Sequence, residues 1–142
     1  MKLQTASSVI SLARELEGES ASFYEDLAQR YADGKDMFLS FAKENKKNVI
    51  QIERAYYGVI SDAIEGCFAF DLESDDYALK ASLAKDASYS EALAQALKVE
   101  ETMVKFYTTA AEQSMSLMAD VPRAFLQVAK KRSQRIDNLR SL

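Results

Sequence analysis

The chain contains no histidine and no tryptophan, one cysteine, one proline and four glycines in 142 residues. Without imidazole there is no nitrogen ligand for a metal and no histidine base for proton transfer. The single thiol, Cys67, excludes an intrachain disulfide and suits a reducing cytoplasm, the expected location. Its expected role is that of a small buried apolar side chain. So few prolines and glycines leave too few turn formers for a many-turned β fold and favour long uninterrupted helices. No apolar run approaches the ~18 residues of a membrane span. The weak apolar patch from Val9 to Ala13 is broken by Ser11 and followed at once by Arg14 and Glu15, unlike the core of a signal peptide. Net charge is −4 and the pI about 5.0. Acidic and basic residues are interleaved almost everywhere, so they read as solvated helix faces, and neither nucleic acid nor a membrane is an expected partner.

What is present is 48% hydrophobic residues, enough for one continuous core in a single domain over residues 1–142. At ~100° per residue, Leu12, Leu16, Phe23, Tyr24 and Leu27 share one arc of a helix from near Thr5–Ser8 to about Tyr31. Gly18 inside it costs roughly 1 kcal/mol relative to Ala, which a close helix contact is expected to offset. Asp33-Gly34 reads as its stop. A second helix from near Asp36 to Ala63 or Ile64 buries Phe38, Phe41, Ala42, Ile52 and Tyr56, and Gly66 ends it. These form a helix pair over about 5–65. The connection, about 66–87, lacks a sustained period. It carries an acidic stretch, Asp71 to Asp76, read as a solvated loop with loosely held divalent cations as the alternative, and a short helix is expected around Tyr77 to Ala84. A capping-box pattern, Ser88 to Glu91, opens a third helix to about Leu117. Asp120 and Pro122 open a fourth, to about Leu139. The second pair covers about 88–140. The fold class is all-α.

Six polar residues fall within the apolar arcs. Glu17 and Glu100 each precede a Phe-Tyr pair by the same spacing, Phe23-Tyr24 and Phe106-Tyr107. Asn45 lies mid-arc and Asn48 at the edge on the second helix, and Arg132 and Arg135 lie on the fourth. The four charges sum to zero, and a buried charge needs a partner. Three readings of the two glutamates stand: exposed boundary residues, metal ligands, or members of an internal Glu–Arg–Asn network, the last being favoured. A small anion held by Arg132 and Arg135 is disfavoured by the carboxylates nearby. The seven Tyr and seven Phe read as core, and Met103, Met115 and Met118 as gap-fillers or interface residues.

These positions resemble the rubrerythrin branch of the ferritin-like superfamily. There, helices one and three carry a Glu seven residues before a Tyr, and helices two and four carry Phe, then Ala, then Glu-x-x-His. The resemblance covers nearly the whole chain. It implies a ferritin-like four-helix bundle, two helix pairs joined by a long crossover, around a di-iron carboxylate centre used for peroxide reduction, oxygen activation or iron handling. Glu17 and Glu100 match the single Glu ligands. Counted from Ala42 and Ala129, the Glu-x-x-His positions hold Asn45 and Asn48, and Arg132 and Arg135. Two carboxylates and two amides are too few ligands for two metal ions, and guanidinium has no lone pair to donate. The expectation is a degenerate site without cofactor, in a protein with a non-catalytic binding, scaffold or oligomerisation role. The alternative is a di-iron oxidoreductase with ligands outside the family pattern, Glu44, Glu53 or residues of a partner chain. Family members associate through helix faces, which implies a homodimer, with Tyr56, Tyr57, Met115 and Met118 as candidates for its interface.

Overall fold

The computed structural model describes residues 1–59, 69–115 and 120–142. Expectations placed on Ala63, Ile64, Gly66, Cys67, Leu117 and Met118 lie outside them. The described chain is mostly helical, with four long helices: α1 (Ala6–Arg30), α2 (Lys35–Val59), α3 (Tyr89–Gln113) and α4 (Asp120–Arg140). Helix starts follow the local chemistry. Thr5 caps α1 by accepting from the Ser8 backbone N–H while Ser8 reciprocates, and Ser88 and Glu91 close the same box on α3. Gly34 turns the chain between α1 and α2 at φ 77°, a conformation that costs a Cβ-bearing residue strain.

Side-chain pairs fix the helix directions. Arg14 reaches Glu53 and Tyr57, while Glu17 reaches Asn48, so α1 and α2 are antiparallel. Tyr24 meets Glu100 and Tyr107 meets Glu17, making α1 and α3 antiparallel. Gln51 meets Gln127 and Glu44 meets Arg135, which sets α2 against α4 in the same sense. The core between them holds Tyr24, Leu27, Phe38, Met103, Phe106 and Phe125, all fully buried. Truncating one of these phenylalanines to Ala typically costs about 3–5 kcal/mol.

The connection departs from its expected form. Residues 77–84 are not helical beyond the short 3₁₀ turn Ser74–Tyr77. Their carbonyls are taken from outside: Arg30 donates to the Ala84 and Leu83 carbonyls, and Gln95 to those of Lys80 and Ser82. An extended strap results, and it lies along α1. At one end the Phe70 N–H donates to the Gln4 carbonyl, and at the other the Tyr31 hydroxyl donates to the Ala87 carbonyl. A two-residue antiparallel pair, β1 (Lys2–Leu3) with β2 (Leu72–Glu73), ties the strap's start to the chain's first residues and buries Leu3 and Leu72. Two residues are too few to show alternation in the sequence. The acidic stretch faces cations of the chain itself: Lys2 pairs with Asp71 at 3.2 Å and the Met1 amino group with Glu73. Among the described residues, no helix is long and apolar enough to cross a membrane.

Candidate functional site

All six inward polar residues are buried, none more than 2% exposed. This excludes the boundary reading of Glu17 and Glu100. It also corrects the place of Asn48, which lies fully inside rather than at the edge of its arc. All four helices contribute, Glu17 from α1, Asn45 and Asn48 from α2, Glu100 from α3, and Arg132 and Arg135 from α4, because the apolar stripe of each helix carries its polar residues inward.

Arg132 is the centre. Its Nη1 donates to Glu100 Oε2 at 2.8 Å and Oε1 at 3.1 Å, and to Ser20 Oγ at 3.1 Å. Its Nη2 donates to Glu17 Oε2 at 2.5 Å. One guanidinium therefore spans both carboxylates, a use of the planar fork that Lys cannot reproduce. Burial by itself would lower the pKa of Arg132, but the attraction of Glu100 and Glu17 outweighs it and holds the group above its ordinary value. The cation is fixed.

Two tyrosines complete the carboxylate shells, and they cross over. Tyr24 on α1 donates to Glu100 Oε2 at 2.6 Å, and Tyr107 on α3 donates to Glu17 Oε1 at 2.6 Å. Burial, then the adjacent carboxylate, pushes each phenol well above its usual pKa, so both stay protonated as donors. Asn48 Nδ2 donates to Glu17 Oε1 at 3.4 Å, a long contact, and Asn45 Nδ2 to the Glu17 carbonyl at 3.2 Å.

Arg135 sits one turn away and faces the rim. Nε donates to Glu44 Oε1 at 3.1 Å and Nη2 to the Phe41 carbonyl at 3.0 Å, while Nη1 lies 3.7 Å from Glu100 Oε2. The guanidinium also lies against the rings of Phe41, 4.8 Å from the centroid, and Tyr24, at 5.6 Å. Glu44 is thus a third carboxylate of the network, bound to a cation. Glu53 points elsewhere, to Arg14 at 2.6 Å. Among the described residues, three buried side-chain atoms lack a hydrogen-bond partner: Asn45 Oδ1, Arg132 Nε and Arg135 Nη1.

Residue-pattern reasoning placed the six but overlooked Tyr24, Tyr107, Ser20 and Glu44 as their partners. The signal for the tyrosines was available: both follow an inward Glu by seven residues, two helical turns on the same face. In an antiparallel pair that spacing sets each hydroxyl opposite the other helix's carboxylate.

The donor set does not fit a di-iron centre. The position between Glu17 and Glu100 is bridged by a guanidinium, which repels cations and offers no lone pair. Among the described residues no group of three or more His, Cys, Asp or Glu side chains is placed to hold a metal ion. Glu17 accepts from Arg132, Tyr107 and Asn48 and Glu100 from Arg132 and Tyr24, and the phenols are held protonated. No family model, no curated protein and no solved structure matches the chain.

Proposed function

We propose that this chain is a ferritin-like four-helix protein whose dimetal position is filled by its own arginine, and that it serves as a non-catalytic binding or scaffold module. The observation carrying this reading is Arg132, which bridges Glu17 and Glu100 where the family resemblance calls for iron. Helix directions support the ferritin-like arrangement. Both α2 and α3 run antiparallel to α1 and hence parallel to each other, so the connection between them has to cross the bundle's length. The extended stretch from Ala78 to Ser88 can reach about 35 Å, which matches a 25-residue helix at about 1.5 Å per residue. A cytoplasmic location belongs to the same proposal. A homodimer through helix faces would use Tyr57 or Met115, which are exposed, but not Tyr56, which is buried.

Metal analysis tests the proposal. Protein produced with added iron is expected to carry far less than one iron per chain and to show no near-ultraviolet oxo-bridged absorption on Fe(II) addition. About two irons per chain with that absorption would establish the oxidoreductase alternative instead.

A further inference from the structure

Both signs are interleaved along each helix, but the balance differs between helices. Outside the interior network, α2 and α4 together present nine Lys and Arg against four Asp and Glu, an excess of five. On the same footing α1 and α3 present four against seven. Helices α2 and α4 are neighbours, and Lys47, Arg54, Arg123 and Lys130 of that excess make a basic strip along their seam.

Along that seam the two helices carry the same pattern. On α2 it reads Lys47, Ile50, Gln51, Arg54, and on α4 Arg123, Leu126, Gln127, Lys130: cation, apolar, Gln, cation at i, i+3, i+4 and i+7. That spacing puts each set on one side of its helix. Gln51 and Gln127 hydrogen-bond to each other across the seam, which brings the two sets together in antiparallel register. Each set lines its own shallow groove, about 490 Å³ around Ile50 and about 530 Å³ around Leu126, the second extended by Met115 and Pro122. Ile50 and Leu126 are 48% and 47% exposed, so each groove presents one large apolar side chain to solvent. Among the described residues Lys47, Arg54 and Lys130 pair with no carboxylate, and Arg123 meets only the exposed Asp120, at 4.0 Å.

We propose that the α2–α4 seam is a docking surface for an acidic amphipathic helix of a partner protein, with its apolar side chains entering the grooves and its carboxylates meeting the four cations at the rims. This deepens the binding-module reading and rests on it. Charge complementarity selects the occupant. A second copy docked face to face would oppose cation to cation. A second copy presenting its acidic α1–α3 side would offer no large exposed apolar side chain from those helices to fill the grooves. A bare polyanion would leave the exposed apolar side chains of both grooves uncovered.

The test is a displayed library of helical peptides of about three turns, selected on the intact chain, followed by titration of the recovered peptides. Peptides with Asp or Glu flanking Leu, Ile or Phe at helical spacing are expected, with binding that weakens at least about tenfold on raising salt from ~0.05 to ~0.5 M. Lys47→Glu/Lys130→Glu and, separately, Ile50→Ser/Leu126→Ser are each expected to weaken it at least about tenfold, with unchanged helical circular dichroism. No enrichment, basic consensus peptides, or acidic peptides indifferent to both variants would overturn the proposal. So would binding to vesicles containing phosphatidylserine without peptide binding, which would assign the face to a membrane. None of these outcomes bears on iron stoichiometry, so this proposal and the metal-free reading fail separately.

Discussion

At the scale of single residues, Glu17, Glu100, Arg132 and Arg135 form a buried ion network, and such a network is held by its completeness. Replacing it wholesale with apolar side chains need not destabilise, but removing one partner strands a charge in a dry interior. Glu100→Ala and Arg132→Ala are each expected to cost about 3–5 kcal/mol, while Glu101→Ala, exposed on the opposite side of α3, should change stability by no more than about 0.5 kcal/mol. Urea unfolding of the three variants decides this, and three equal midpoints would refute the burial argument. The tyrosines give a second handle. Their folded pKa lies above the unfolded value of about 10, so their contribution is intact below pH ~10 and is lost as pH rises further, when the unfolded chain releases protons that the folded one keeps. Each phenol adds a slope of about 1.4 kcal/mol per pH unit in that range. Unfolding measured between pH ~9 and ~11 should show a steeper decline for the wild type than for Tyr24→Phe/Tyr107→Phe, and parallel curves would count against the raised phenols. The six network positions were legible because a polar residue inside a helical apolar stripe is conspicuous. Their tyrosine partners were not singled out, since an aromatic at core spacing needs no explanation beyond packing.

At the scale of elements, two glycines, one inside α1 and one in the turn that follows it, have opposite roles. A close helix contact would offset the cost of Gly18, but a Cβ placed there meets nothing within 4 Å among the described residues, and the residue is exposed. Its cost to α1 is therefore uncompensated by those residues, and Gly18→Ala should stabilise by about 0.5–1 kcal/mol. Gly34 has φ +77°, and a Cβ there would come within 2.8 Å of the Tyr89 hydroxyl and 3.2 Å of the Phe38 ring. Gly34→Ala should destabilise by more than about 1 kcal/mol. Thermal melts of the two variants should move in opposite directions, and a stabilising Gly34→Ala would show the turn to be misread. Helix starts were readable because caps are local: Thr5, Ser88 and Asp120 signal them within four residues. The strap was not readable for the converse reason. Its alanines favour a helix intrinsically, but Arg30 and Gln95, distant in sequence, claim the carbonyls that a helix would need.

At the scale of the whole molecule, the proposed ferritin-like arrangement can be tested by asking the bundle to bind metal. Asn45→Glu, Asn48→His, Arg132→Glu and Arg135→His together rebuild both Glu-x-x-His motifs opposite Glu17 and Glu100. The interior would then lose both guanidinium cations and hold four carboxylates, and Lys131, whose Nζ donates to Asn48 Oδ1 at 3.4 Å, is a single cation against that charge. Buried like charges of that density are untenable without a counter-ion, so the metal-free variant is expected to melt far below the wild type or to be unfolded at room temperature. Divalent metal binds only the folded form and should restore it by mass action, with a midpoint that climbs with metal concentration, by roughly 2.7 kcal/mol at a hundredfold excess over Kd. Cobalt(II) and iron(II) titrations followed by circular dichroism and by visible absorption measure both halves of this. Arg132→Glu alone should not gain metal-dependent stability of that size, because it supplies a carboxylate without the nitrogen ligands. If the fourfold variant is indifferent to metal, the stripes of the four helices do not converge as a ferritin-like dimetal cage. The arginine bridge would then be an ordinary buried ion pair with no metal site behind it.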